Sequence, residues 1–221
     1  MLVTVSNLLD ADQLALITGL IDGLEWHDGA KTAGITARQV KRNRQADLTS
    51  RLGETVDQHL QKAIESHPVI KAAASPKHFS PRLISQTGPG GGYGFHIDNA
   101  FMGALRTDLS YTLFLSPPDA YKGGELVIEH GGLTHRLKPD AGDLVLYPAT
   151  SLHQVAEVTS GQRLVCVGWI QSHVAEAEAR EILFDLHNLR ASLAASYGNQ
   201  SPEMLTLSKV MANLLRLTAR G

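Results

Sequence analysis

Leu109-Ser110-Tyr111-Thr112-Leu113-Phe114-Leu115 sets apolar residues at 109, 111, 113 and 115, with Ser110, Thr112 and Phe114 between them. A period of two predicts a β-strand, because successive side chains of a strand point to opposite faces. Further strand-like stretches follow at Glu125 to Glu129, Leu133 to Leu137, Asp143 to Tyr147, Leu152 to Val158 and Arg163 to Ile170. Gly123-Gly124, Gly131-Gly132, the stretch 139–142 and Ser160-Gly161 supply turns between them. Many short strands at this spacing predict a sandwich or barrel, and a double-stranded β-helix, the jelly roll, fits best.

Outside this middle region the period changes. Asp10 stands three residues before Gln13, the pattern of a capping box, and Leu14, Ile17, Leu20, Ile21 and Leu24 recur at helical spacing. Leu48, Leu52, Val56, Leu60 and Ile64 predict a second helix from near Asp47 to Ser66. It stops at His67, since Pro68 disfavours the α conformation in the residue before it. Downstream, Ile182, Leu183, Leu186, Leu189 and Leu193 mark one helix. Ser201-Pro202-Glu203 opens another, whose apolar face is Leu207, Val210, Met211, Leu214 and Leu217. The fold class is therefore mixed α and β: a helical support region over 1–77, a jelly-roll core over 78–173 and a helical region over 174–221. The last apolar face is expected to pack on the barrel, with a homo-oligomer contact as the alternative.

The chain has 20 Lys and Arg against 22 Asp and Glu, a formal net charge of -2. That balance gives no electrostatic reason for nucleic acid or a membrane surface as partner. No apolar run reaches bilayer-spanning length, and the first residues lack a signal-peptide pattern. The single Cys166 sits in an apolar run and reads as a buried thiol of an intracellular, cytoplasmic protein. The one local charge excess holds Arg38, Lys41, Arg42 and Arg44 beside Asn43 and Gln45. It reads as a solvated loop between helices, with a grip on an anionic group as the alternative.

His96-Ile97-Asp98 is the leading candidate for chemistry. Alone it is weak, because this composition yields an H-x-[DE] triplet about once by chance. On a strand, however, residues i and i+2 share a face, so an imidazole and a carboxylate can reach one ion. A histidine from a distant strand would complete two His and one carboxylate, leaving three adjacent positions open on an octahedral ion. That arrangement suits non-haem Fe(II). His130, His135 and His153 are the candidates for the third place. The first two flank the Gly131-Gly132 turn, while His153 opens a strand ten residues before Arg163. Strands joined at Ser160-Gly161 would set His153 and Arg163 across from each other. Arg163 begins an alternating series with Val165, Val167 and Trp169. A guanidinium inside a barrel needs an anion, which a dicarboxylate would provide bidentately.

These motifs resemble the Fe(II)/2-oxoglutarate dioxygenases, in particular the prolyl- and lysyl-hydroxylase-like branch of PKHD-type hydroxylases. The resembling stretches are Gly92-Tyr93-Gly94-Phe95-His96-Ile97-Asp98-Asn99-Ala100, then Arg106 to Leu115, Tyr121 to Leu126, and Gly142-Asp143 through His153 to Arg163. The resemblance implies Fe(II) on His96, Asp98 and His153, and 2-oxoglutarate with its distal carboxylate on Arg163. It implies hydroxylation with O2, releasing succinate and CO2, of a prolyl or lysyl side chain or a small metabolite that the sequence does not name. L-Ascorbate as a stimulant is implied in the same way. Tyr93 matches an aromatic position of the family, and Trp169 also resembles the hydroxylases, with simple core packing as the alternative. Related prolyl hydroxylases carry a tyrosine nine or ten residues before the first histidine, touching 2-oxoglutarate. Here Gln86 and Thr87 stand there, and Gln86 is carried over as the co-substrate contact. Gly88-Pro89-Gly90-Gly91-Gly92 reads as a loop at the mouth of the site, since no Gly-Lys-Ser/Thr follows it. Two other readings compete: a cupin-like Zn(II) or Mn(II) enzyme, for which Arg163 has no use, and a non-catalytic sensor of metal or 2-oxoglutarate.

Overall fold

The computed structural model describes residues 1–29 and 41–219, so Arg38 of the basic segment lies outside it. The first half of the chain forms β1 (Val3–Val5), α1 (Ala11–Ile21), β2 (Trp26–Asp28), β3 (Lys41–Arg42), β4 (Arg44–Ala46), α2 (Arg51–Ser66), α3 (Pro68–Ala74), β5 (Pro76–Phe79), β6 (Leu83–Thr87), β7 (Gly92–His96), β8 (Phe101–Met102) and β9 (Leu105–Arg106). The second half forms β10 (Leu109–Phe114), β11 (Tyr121–Gly123), β12 (Leu126–His130), β13 (Leu133–Leu137), β14 (Leu144–Pro148), β15 (His153–Val155), β16 (Val158–Gly161), β17 (Arg163–Ser172), α4 (Ala177–Leu193) and α5 (Pro202–Thr218).

Two antiparallel sheets make the expected jelly roll. The larger runs β1-β14-β10-β17-β6-β4-β2, with β5 also paired to β17. The smaller runs β13-β12-β15-β7-β3. Every residue of β10 is buried, because both of its faces are covered. Leu109, Tyr111 and Leu113 join Ile84, Cys166 and Ile170 against Ile17, Ile21, Val56, Leu60 and Ile64 of the helices. Phe114 faces the other way, into a second cluster with Leu126, Ile128, Val145, Tyr147 and Val165 between the sheets. The full burial of Val56, Leu60 and Ile64 stabilises the α2 contact by roughly 1.5–3 kcal/mol per side chain.

Local chemistry explains the helix ends. At α1, Asp10 Oδ1 accepts from the Gln13 amide at 2.8 Å, and Gln13 Oε1 accepts from the Asp10 amide at 3.1 Å, completing the capping box. The second helix begins at Arg51, later than the spacing predicts. Asp47 Oδ1 accepts from the Thr49 amide at 2.8 Å, a local turn that competes with helix, and Ser50 then caps Gly53. His67 is extended before Pro68, as expected, but Pro68 then opens α3.

Three expectations are corrected. First, the stretch 1–77 adds β1 to β4 to the sheets as well as its helices. Second, the strand foreseen over Leu152 to Val158 is two: β15 lies in the smaller sheet, and β16 pairs with β11. The chain crosses over where the Ala156 amide donates to Glu125 and the Glu157 carbonyl accepts from Gly124, so the strands bearing His153 and Arg163 do not pair. Third, α5 packs on α4 instead of on the barrel, and Met204 and Met211 are its buried residues. Its residues Val210 and Leu217 are 46% and 83% exposed. Among the described residues no helix is long and apolar enough to cross a membrane.

Candidate active site

Residues of both sheets line one open cleft with a cavity volume of about 120 Å³. His96 closes β7 and His153 opens β15, and the ladder puts them side by side as Cα partners. Asp98 follows two residues later. One ligand atom from each of the three lies within 4.8 Å of the others. His96 Nδ1 donates to the Gly94 carbonyl at 2.8 Å, and His153 Nδ1 donates to the Ser151 carbonyl at 3.0 Å. A carbonyl can only accept, so Nδ1 of each ring carries a proton and Nε2 is the nitrogen left to bind a metal. Asp98 Oδ2 accepts from Ser110 Oγ at 2.6 Å and lies 3.9 Å from His153 Nε2. Burial and the neighbouring His153 push His96 down to about 4, which keeps the ring neutral near pH 7.

Aromatic rings brace the cluster. Tyr93 stacks on His96 with centroids 3.6 Å apart, and Tyr147 meets His153 edge-on at 5.1 Å. Burial, with Asp98 assisting, pushes the Tyr93 phenol up to about 12, so it stays protonated.

Arg163 faces the same cleft from β17 in the opposite sheet. It is 2% exposed, yet its Nε and Nη2 atoms have no hydrogen-bond partner. Burial lowers its pKa, and Tyr121 and Tyr147 are the groups that oppose the shift. Its charge rests over the Phe114 ring at 5.3 Å. Gly124 makes room for it: its φ is +68°, and a Cβ there would sit 3.1 Å from Arg163 Cδ. A buried guanidinium with two idle donors fits a carboxylate, and two imidazoles with a carboxylate fit a divalent first-row metal.

Other candidates stand elsewhere. Gln86 is absent from the cleft lining, and its amide donates to Gln162 Oε1 at 2.9 Å. On β6 it is Leu83, Ser85 and Thr87 that face inward, and the period of two turns Gln86 outward. His130 and His135 sit at the β12–β13 hairpin end, with His135 Nε2 bonded to the His130 carbonyl at 3.3 Å. Trp169 does line the cleft, with its Nε1 buried and unpartnered.

From Lys41 on, the described part of the basic segment is not a solvated loop. β3 pairs with β7 and β4 with β6, so it crosses from one sheet to the other. Lys41, Asn43 and Gln45 line the cleft, while Arg42 and Arg44 are exposed. Asn43 Nδ2 donates to Ser85 Oγ. Lys41, Asn43, Ser85, Thr112 and Tyr147 thus belong to the cleft without having been picked out as site residues. For Thr112 a signal existed, since it alternates with the apolar set of β10; the two- and three-residue strands β3 and β4 carry too little periodicity to give one.

Known proteins are similar to this chain in sequence and in fold. Residues 83–171 match the family model described as the 2OG-Fe(II) oxygenase superfamily. A PKHD-type hydroxylase of Hyphomonas neptunium is 51% identical over 220 residues, 98% of each chain, and one of Prochlorococcus marinus is 45% identical over 199 residues, 90% of each. Among solved structures, a Pseudomonas putida prolyl-4-hydroxylase aligns with a TM-score of 0.56 at 20% identity, covering 77% of this chain and 92% of its own. A Trichoplax adhaerens prolyl hydroxylase, in complex with a hypoxia-inducible-factor peptide fragment, aligns with a TM-score of 0.60 at 15% identity, covering 82% and 86%. Near-full-length identity of this order places the chain in a family: it belongs to the PKHD-type hydroxylases of the 2OG-Fe(II) oxygenase superfamily.

Proposed function

We propose that His96, Asp98 and His153 hold one Fe(II) and that Arg163 receives the distal carboxylate of 2-oxoglutarate, the pair serving hydroxylation of a peptide or small-molecule substrate. The observation that carries this reading is the facing of a two-His, one-carboxylate cluster and a buried guanidinium with two unused donors across one cleft. When bound, Fe(II) and 2-oxoglutarate supply O2 activation, inserting one oxygen atom into a C–H bond and yielding succinate and CO2.

The chain's own residues do the rest. The Gly94 and Ser151 carbonyls hold the Nδ1 protons of the two histidines and fix their ring orientation. Ser110 holds Asp98 from the opposite sheet. Arg163 orients the co-substrate from the depth of the barrel, its charge prepaid in desolvation. Val165, Val167 and Leu126 line the cleft and limit water around the reacting atoms. Tyr93 contributes through its stacking on His96. A cupin-like isomerase has no use for Arg163, which disfavours that reading.

The finer points belong to the same proposal. A prolyl or lysyl side chain is the first substrate class to test, given the prolyl hydroxylases among the structural neighbours. L-Ascorbate stimulates turnover by keeping the iron ferrous. The core over 78–173 carries the chemistry and the flanking parts brace it, with the exposed face of α5 open to a second copy. A cytoplasmic location fits the one buried thiol, Cys166.

The test is succinate release from 2-oxoglutarate, with iron reconstituted anaerobically before O2 is admitted. Wild type turns over only with Fe(II), and His96→Ala and Asp98→Ala abolish turnover. Full 2-oxoglutarate decarboxylation by either variant contradicts the ligand assignment.

A further inference from the structure

Exposed apolar surface is gathered at one place on this chain. Of the thirteen large apolar side chains exposed among the described residues, seven lie on α4, α5 or the turn between them. Apolar surface concentrated in this way marks a site of association.

Two stripes of seven-residue spacing form its centre. On α4, Arg180 and Leu183 are buried, and Ile182 and Leu189 point the other way, 52% and 48% exposed. On α5, Met204 and Met211 are buried, while Val210 and Leu217 are exposed. Half-buried Leu186 and Leu193 flank the first stripe, and half-buried Leu207 and Leu214 flank the second. The seam between α4 and α5 therefore runs between the stripes. Seen from one end, antiparallel helices wind in opposite senses, which brings both stripes to one side of the hairpin.

Charge borders this face with opposite signs. At about 100° per residue, Glu178 and Asp185 follow the outer flank of the α4 stripe, and Lys209 and Arg216 that of the α5 stripe. All four are exposed, and none forms a salt bridge among the described residues. The β-bridge between Val174 and Ala219 sets the level of the two helices. Counting from it, Glu178 is four residues along and Arg216 three, while Asp185 is eleven along and Lys209 ten. Each acid thus stands level with a base, but on the opposite edge of the face.

A second copy of the chain supplies the match. A two-fold axis along the helices lays each α4 on the partner's α5, with every neighbouring pair antiparallel, in a four-helix arrangement. It sets Glu178 beside Arg216 of the partner subunit and Asp185 beside Lys209 of the partner subunit. A two-fold axis across the helices would instead set one acidic edge on the other.

We propose that α4 and α5 form the interface of a two-fold homodimer, centred on Ile182, Leu189, Val210 and Leu217 and bordered by these four charges. No residue of α4 or α5 lines the cleft, so both clefts stay open in the dimer. The inference is independent of the iron and 2-oxoglutarate reading.

Sedimentation velocity of the full chain tests it. Wild type is expected to sediment at twice 23.8 kDa at high micromolar concentration. The double variant Lys209→Glu, Arg216→Glu carries two acidic edges, and Glu178→Lys, Asp185→Lys two basic ones. Each alone is expected to dimerise at least about tenfold more weakly, and an equimolar mixture of the two to regain the dimer. Leu217→Asp, at a position 83% exposed and so open to substitution without loss of fold, is expected to be monomeric. Far-UV circular dichroism checks that every variant is folded. A monomeric wild type overturns the proposal and leaves the face to a different protein. A dimer that neither double variant weakens overturns it too, as does a mixture of the two folded variants that stays monomeric.

Discussion

The Ser110 hydroxyl donates to Asp98 at 2.6 Å and so ties a loop of the smaller sheet to β10 in the larger. A carboxylate held in this way is preorganised for a metal, and loss of such a supporting bond costs 10- to 100-fold in affinity elsewhere. Ser110→Ala is expected to weaken Fe(II) or Mn(II) binding by about tenfold, read by metal titration, with the fold intact. Arg163 makes the opposite kind of prediction. Its buried charge is carried at a cost, so Arg163→Met is expected to melt at the same temperature as ligand-free wild type or higher. The same variant loses about a hundredfold in 2-oxoglutarate affinity, as truncation of a buried charge pair does. At this scale the sequence points to His96 and Asp98 by their spacing and to Arg163 by its alternating series, although Asp98 lies past the end of β7 and not on the strand. It misleads at Gln86, because which face of β6 meets the cleft is decided by pairing with β17, where Arg163 stands opposite Thr87.

Among the elements, β10 carries the fold and the site at once. Its apolar side lies under the helices, and its Ser110 and Thr112 side forms a wall of the cleft. The period-two reading is therefore correct, while the polar side is not a solvent face. A single strand cannot reveal that second cover. The helix α2 supplies much of the cover on the other face, and Leu60→Ala there is expected to cost about 2–5 kcal/mol in chemical denaturation. The turn after β11 holds a tighter constraint. Gly124→Ala adds a Cβ 3.1 Å from Arg163 Cδ on a backbone with φ of +68°. Its 2-oxoglutarate affinity is expected to fall while metal affinity holds. The crossing of β15 into β16 escaped the sequence for a related reason: Leu152 to Val158 alternates well enough for one strand, and only the bonds of Ala156 and Glu157 to the 124–125 turn divide it.

For the whole molecule, helices brace the larger sheet, and residues of both sheets line the cleft. Cys166 lies on the braced side, fully buried, and burial pushes its thiol up to about 12. The native protein is therefore expected to resist a disulfide reagent at pH 8 and to react with one thiol on unfolding; prompt reaction of the native state would contradict this packing. Residues 41–46, which hydrophobic period assigns to the helical region over 1–77, thread both sheets and bring Lys41 to the cleft. Those short strands are defined by their partners, which no local pattern encodes.

The central claim is that one metal and one dicarboxylate meet between the two sheets. An anaerobic crystal structure with Mn(II) and 2-oxoglutarate tests it most directly. The account predicts a single ion bonded to His96 Nε2, Asp98 and His153 Nε2, with a carboxylate paired to Arg163 Nε and Nη2. An ion held instead by the Glu25, His27 and Asp47 group, or a dicarboxylate lying away from Arg163, would contradict it.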